Sequence, residues 1–205
     1  MTGTSREPEP LTRQDRRRFA TAVTEFSSPA VCVVIGLVVV AWNSASGGAD
    51  AAWAALAILL CAGVPMAYIA KGVKAGRWSD HHIGRREQRA IPLLVALGSV
   101  ALASGLLILV GAPRQLIALV LSQLAGLLVV LMITRFWKVS IHCATAGGLL
   151  GVFLVLFGPW ALLGIAPLAL IAWSRVVLDA HTWTQVAVGA GIGFLIGSTL
   201  FPLLA

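Results

Sequence analysis

The chain has 205 residues, 59% of them hydrophobic and only 11% charged, with a net charge of +7. An average soluble domain carries about 25% charged residues, so a water-soluble fold is excluded and an integral membrane protein with one compact domain is expected. The basic residues are spread between apolar stretches and form no basic domain, which excludes nucleic acid as a partner and points to anionic lipid head groups or a phosphate-bearing substrate.

Residues 1–28 read as a basic, water-soluble tail holding Arg6, Arg13, Arg16, Arg17 and Arg18. It has no apolar run before Ala30, so it is not a cleaved secretory signal, and Arg16-Arg17-Arg18 reads as an anchor on anionic lipid. A helix that crosses the hydrocarbon needs about 20 apolar residues. In chain order the expected spans are 29–45, 51–70, 90–110 and 114–134, the last two joined by the tight turn Gly111-Ala112-Pro113. The next apolar stretch is interrupted by Gly158-Pro159, and proline ends or kinks a helix, so it divides into 142–157 and 160–173. At 1.5 Å per residue these halves reach about 21 to 24 Å, short of the hydrocarbon core of about 30 Å, and a hairpin is expected. The final span is 185–204. The fold class is therefore all-α, a polytopic transmembrane helical bundle of about six to seven spans occupying residues 29–205. Glycines such as Gly147, Gly148, Gly151, Gly189, Gly193 and Gly197 recur at helical spacing, where small residues allow close helix contact in lipid. The three cysteines, Cys32, Cys61 and Cys143, lie in apolar segments without metal-ligand spacing and read as buried free thiols. The seven tryptophans fall near span ends, as an aromatic belt does.

If every span crosses once, 14 of the 15 Lys and Arg share one face and only Arg114 lies on the other. The positive-inside rule makes the charged face cytoplasmic. Three polar clusters lie on that face: 77–89, with His81 and His82; 138–142, read KVSIH; and 174–185, read SRVVLDAHTWTQ. They bring together arginines, which match phosphate oxygens with planar multi-donor forks, serine hydroxyls and helix-start N–H groups, and histidines able to divide nucleophile and acid duties. That combination suits removal of phosphate from a molecule that resides in the bilayer.

Ser140-Ile141-His142 and Ser174-Arg175-(five residues)-His181 resemble the second and third signatures, PSGH and SR-x5-H-x3-D, of the type 2 phosphatidic acid phosphatase superfamily. The resemblance spans about 80–190 and implies a membrane lipid phosphatase. It implies His181 as the nucleophile that forms a phosphohistidine, His142 as the acid for the leaving oxygen, and Arg175, Ser140 and the backbone at Ile141 as the phosphate cradle, with Ser174 beside them. The family's first signature, K-x6-RP, is degenerate here: Arg89 fits the arginine, Ala90 replaces the proline and His82 the lysine, so Arg85, Arg86 or Lys138 is left to supply the missing charge. Gln185 stands where the family has aspartate. Its i,i+4 spacing lets it accept a hydrogen bond from the His181 ring without supplying a negative charge. Asp179 is two residues before His181 and would point elsewhere on a helix.

The expected activity is metal-independent hydrolysis of a lipid phosphate or diphosphate, on a polyprenyl or prenyl-sugar phosphate first and phosphatidic acid next, with no cofactor. The pair His81-His82 has only Asp80 and Glu87 as nearby carboxylates, too few to indicate a metal site. Two other readings stay open: a prenyl-diphosphate lyase or cyclase, and a non-catalytic lipid-phosphate binding or transport protein.

Overall fold

The computed structural model describes residues 12–44, 47, 49–78 and 88–205, and every regular element among them is helical. Helix α1 (Arg13–Phe26) begins at Thr12, whose hydroxyl accepts the Asp15 N–H at 3.2 Å. Helix α2 (Pro29–Asn43) begins at Ser28, with a proline in its first turn where no N–H is needed. These two meet at a 42° bend. Residues 12–28 are thus not a free tail. Helix α1 buries Ala20 and Thr24, and its Phe19 ring lies 5.9 Å from Trp173.

Helices α3 (Asp50–Ile58) and α4 (Val64–Lys74) form one 25-residue tract through a π-helical turn at Leu59–Gly63. The Val64 N–H bonds the Leu59 carbonyl five residues back, and Pro65 has no N–H to give. The Leu60 carbonyl loses its usual helical partner and receives the Ser99 hydroxyl instead, at 2.7 Å. Ser99 belongs to α5 (Ala90–Leu109), which turns through Gly111 (φ 66°) into α6 (Arg114–Thr134). Helix α7 (Ile141–Phe157), a 3₁₀ segment (Gly158–Gly164) and α8 (Ile165–Val177) follow without a break, and α9 (Trp183–Leu204) completes the bundle.

Five tracts are long and apolar enough to cross a membrane, six if α1 and α2 count as one. The tract Ile141–Val177 is longer than a bilayer needs, and it doubles back. Cys143 near its start and Ile171 near its end share one buried cluster with Val186 of α9, and Leu150 packs against Gly164. The reversal occurs at Gly158, where φ is +62°, a backbone state open to glycine at little cost. The hairpin read from Gly158-Pro159 is therefore present. Outward faces carry exposed Leu94, Leu102, Met132 and Leu195, a surface that suits lipid chains. Trp42, Trp160 and Trp183 are exposed near helix ends, as a belt requires, whereas Trp78 packs on Gly72 and Trp173 on α1.

The closest packing is between α7 and α9. A Cβ on Gly193 would strike the Ala144 carbonyl, one on Gly197 the Gly148 carbonyl, and one on Gly147 the Ala190 carbonyl. At Gly151 it would lie 2.6 Å from the Phe194 carbonyl oxygen, and at Gly189 2.6 Å from that of Ser140. Backbone therefore rests on backbone along the whole seam. Such overpacking typically costs about 1–3 kcal/mol or more. Gly193→Ala should lower the melting temperature in detergent by several degrees, while Gly191→Ala, whose added Cβ meets nothing within 4 Å, should leave it unchanged or raise it; equal melting temperatures for the two variants would contradict the seam.

Candidate functional site

The alternation of α7, α8 and α9 brings the start of α7, the end of α8 and the start of α9 to one end of the bundle, beside the start of α5. Each of these termini is fixed by local chemistry. Ser140 caps α7, its hydroxyl accepting the Cys143 N–H at 3.3 Å. The Ser140 N–H in turn donates to the Gln185 carbonyl at 3.3 Å, so the starts of α7 and α9 are tied together. The Arg89 guanidinium donates to the Val139 carbonyl at 3.2 Å and is buried. After α8, the N–H groups of Ala180 and His181 both bond the Arg175 carbonyl, at 3.0 and 3.1 Å. This curls the loop so that His181 turns back toward the bundle. Asp179 sits at φ 56° and points away, onto Arg17 of α1 at 2.7 Å. Its carboxylate is engaged by Arg17 and not by the His181 ring, whose Nδ1 faces Gln185.

Thr12 and Gln185 illustrate two different caps, and the second sets the chemistry of the site. Thr182 and Gln185 form a reciprocal capping box at the start of α9. Gln185 Oε1 accepts the Thr182 N–H at 3.3 Å and lies 3.1 Å from His181 Nδ1. A backbone N–H only donates, so the amide atom facing it is the oxygen. An amide oxygen only accepts, so Nδ1 carries the hydrogen. The Nε2 of His181 is left with a lone pair. Burial first, then the positive charges of Arg89, Lys138 and Arg175, push the His181 imidazole down to about 3, against a smaller upward pull from Gln185. The ring is neutral across the physiological range.

Arg175 is buried and donates to the Thr24 hydroxyl at 3.3 Å. Ser174 donates its hydroxyl hydrogen to the Ile171 carbonyl at 2.8 Å, so in its 3.1 Å contact with Thr24 it is the acceptor. The Ser174 hydroxyl thus serves α8 and α1. Through Thr24 it also supports Arg175. Ser140 is fully buried and acts as a cap, leaving the N–H groups of Ile141 and His142 as the donors at the start of α7. Arg85 and Arg86, like His81, His82, Asp80 and Glu87, lie outside the described residues. Among the described residues no group of three His, Cys, Asp or Glu is placed to hold a metal.

His142, His181 and Arg89 line one cavity of about 500 Å³. From that end it runs between the helices past Ala96, Gly126 and Leu149 to Val100, Leu119 and Val152. Its walls are apolar apart from a few groups, among them Glu25 near α2 and Gln123 on α6. The Gln123 Oε1 is buried and has no hydrogen-bond partner among the described residues. Sequence reasoning missed Thr24, Arg17 and the cavity. Thr24 stands next to Glu25 in a segment whose arginines dominate its composition, and the only signal was the apolar face recurring at Phe19, Ala20 and Val23.

No protein-family model, curated protein or solved structure matches the chain.

Two expectations follow from this geometry. Gln185→Glu keeps the length of the side chain and adds a charge, so His181 should protonate at distinctly higher pH; Lys138→Gln, by removing a cation, should move it the same way. A ¹⁵N-histidine NMR titration in detergent reads both, and an unmoved titration in both variants would remove these groups from the neighbourhood of the ring. Thr24→Val should destabilise the fold by about 1–3 kcal/mol, because it strips a buried guanidinium of an acceptor, and Thr24→Ser should recover most of the loss in a thermal melt.

Proposed function

We propose that this protein removes a phosphate or diphosphate group from a lipid, without a metal, through a phosphohistidine on His181. The observation that carries the reading is the shared cavity of His142, His181 and Arg89, with His181 held as its Nδ1–H tautomer by Gln185. Arg89, Lys138 and Arg175 supply the positive field that the phosphoryl oxygens need. His181 Nε2 attacks phosphorus in line. The phosphorus–oxygen bond to the lipid breaks, its electron pair passes to the departing oxygen, and protonated His142 gives that oxygen a proton. Water then attacks phosphorus while neutral His142 takes a proton from it, the phosphorus–nitrogen bond breaks with its electron pair returning to Nε2, and phosphate leaves with His181 restored.

Gln185 orients the ring as an aspartate would, but the phosphorylated ring carries a positive charge that an amide does not neutralise. The three cations worsen that charge until the bound phosphoryl group offsets them. The chemistry therefore depends on the substrate's own anion more than in a site with a carboxylate.

The cavity bears on the rival readings. No Phe, Tyr or Trp among the described residues lines it, and stabilising a free carbocation calls for aromatic faces. That disfavours a prenyl-diphosphate cyclase. The basic end holds Arg13, Arg16, Arg17, Arg18, Lys71, Lys74, Arg77, Arg135 and Lys138, while Arg114 lies at the far end, donating to the Leu204 carbonyl at 3.0 Å. By the positive-inside rule the site opens on the cytoplasmic side of the cell membrane, within reach of anionic head groups and of lipids made inside the cell.

The test is phosphate release from a panel of lipid mono- and diphosphates in detergent, read by malachite green. His181→Ala should lose at least 1,000-fold in kcat and trap no phosphohistidine, and Gln185→Glu should raise the rate of phosphoryl transfer. Release that persists in His181→Ala, or none from any lipid in the wild type, ends the proposal.

A further inference from the structure

The cavity has a definite depth and volume, and both bear on what occupies it. Its upper end is set by Arg89, His142 and His181. Val100 lies eleven residues further along α5 than Arg89, and Val152 ten residues further along α7 than His142. At 1.5 Å per residue the lining reaches about 15 to 16 Å below the imidazoles. An extended chain advances about 1.2 Å per bond, so a straight carbon chain of about 13 bonds spans that depth. Volume gives the same answer independently. A methylene takes about the space of a water molecule, about 30 Å³ in the liquid, so the 500 Å³ cavity holds about 16 carbons.

Two acyl chains of ordinary length need about twice that room, and a chain of fifty carbons or more needs about three times as much. Ala96 of α5 and Gly126 of α6 are small residues lining the cavity. A Cβ on Gly126 would meet only the tip of Ile196, at 3.9 Å, so the space beside that glycine belongs to the cavity and not to helix packing. This differs from the seam glycines, which are filled by backbone.

We infer that the cavity below the histidines is a tail pocket for a single hydrocarbon chain of about 12 to 16 carbons, so the substrate is a single-chain lipid phosphate and not a diacyl one. The inference rests on the phosphatase reading for the head group, but the pocket binds the chain whether or not phosphate is released. Apolar walls hold the chain by close contact and by keeping its surface from water. They fix its length and place the phosphorus at Arg89 and His181.

The experiment has a turnover arm and a binding arm. In the first, kcat/KM is measured for alkyl or prenyl monophosphates of about 6, 10, 15, 20 and 55 carbons and for a dioleoyl phosphatidate. It should climb at least tenfold from the shortest chain to about 15 carbons and then level or fall, with the diacyl lipid at least tenfold below the 15-carbon chain. In the second, His181→Ala protein binds a fluorescent single-chain phosphate of about 16 carbons in micelles, and the same lipids compete for it. Gly126→Leu and Ala96→Leu should each weaken the 15-carbon competitor at least tenfold more than an 8-carbon one, in protein whose melting temperature stays within a few degrees of the parent. Chain-length dependence in the binding arm without turnover of any lipid would sink the phosphatase reading and leave the tail pocket standing. Turnover that is indifferent to chain length, that keeps rising to 55 carbons, or that is as fast on the diacyl lipid would overturn the tail pocket alone. So would Gly126→Leu and Ala96→Leu proteins that fold and show no shift toward shorter chains.

Discussion

The backbone contact between α7 and α9 is the constraint from which the rest of the site follows. In lipid there is little hydrophobic gain from pressing two apolar helices together, so close association relies on shape and on van der Waals contact. Gly147, Gly148 and Gly151 on one helix meet Gly189, Gly193 and Gly197 on the other with no side chains between them. The seam begins at Ser140 and Gly189, the level at which Ser140 also donates to the Gln185 carbonyl. The start of α7, with His142, and the start of α9, with Gln185 and the preceding His181, are therefore brought together by the same contacts that hold the bundle.

Around that junction the protein gathers positive charge and keeps it in place by buried hydrogen bonds. Arg89 is held by the Val139 carbonyl and Arg175 by Thr24. Burial is costly for a guanidinium in the absence of an anion, and here the hydrogen bonds to Val139 and Thr24 offset part of that cost. The consequence reaches the neighbouring imidazole, which those charges and its burial keep neutral. A site with this balance is poised to take an anion. Helix α1 belongs to it as well, since Arg17 ties down the loop that carries His181 through Asp179 and the Val177 carbonyl.

Below the charged end, the bundle is open on the side facing α2, α4, α5 and α6 and closed along the α7–α9 seam. The π-helical turn at Leu59–Gly63 and Pro65 interrupt the regular α3–α4 hydrogen bonding, and Ser99 bonds the carbonyl left over as a result. The opening left between α2, α4, α5, α6 and the seam is the cavity. The cavity therefore has a stiff wall on the side of the seam and an irregular one opposite it.

Much was determined by the sequence alone. Apolar runs long enough for a bilayer, interrupted by charged loops, dictate a helical membrane bundle, because every backbone polar group in hydrocarbon must be bonded within its own helix. The spans at 90–110, 114–134 and 185–204 and the reversal at Gly158-Pro159 were legible for that reason, and so was the grouping of Arg89, Lys138, His142, Arg175 and His181 on one side. Tertiary structure decided what a linear pattern does not encode. Residues 12–28 read as a tail because their arginines outweigh a short apolar face, yet that face packs on α8 and delivers Thr24 to Arg175. Ser174 read as a phosphate ligand by its place beside Arg175, and the packing of α8 on α1 directs its one hydroxyl hydrogen to the Ile171 carbonyl and sets its oxygen against Thr24. The tautomer of His181 depended on a glutamine oxygen being shared with a helix cap, which needs the loop geometry before α9; the cavity depended on the spacing of α2, α4, α5, α6, α7 and α9 at once, a property of residues far apart in the chain that side-chain identity constrains but does not fix.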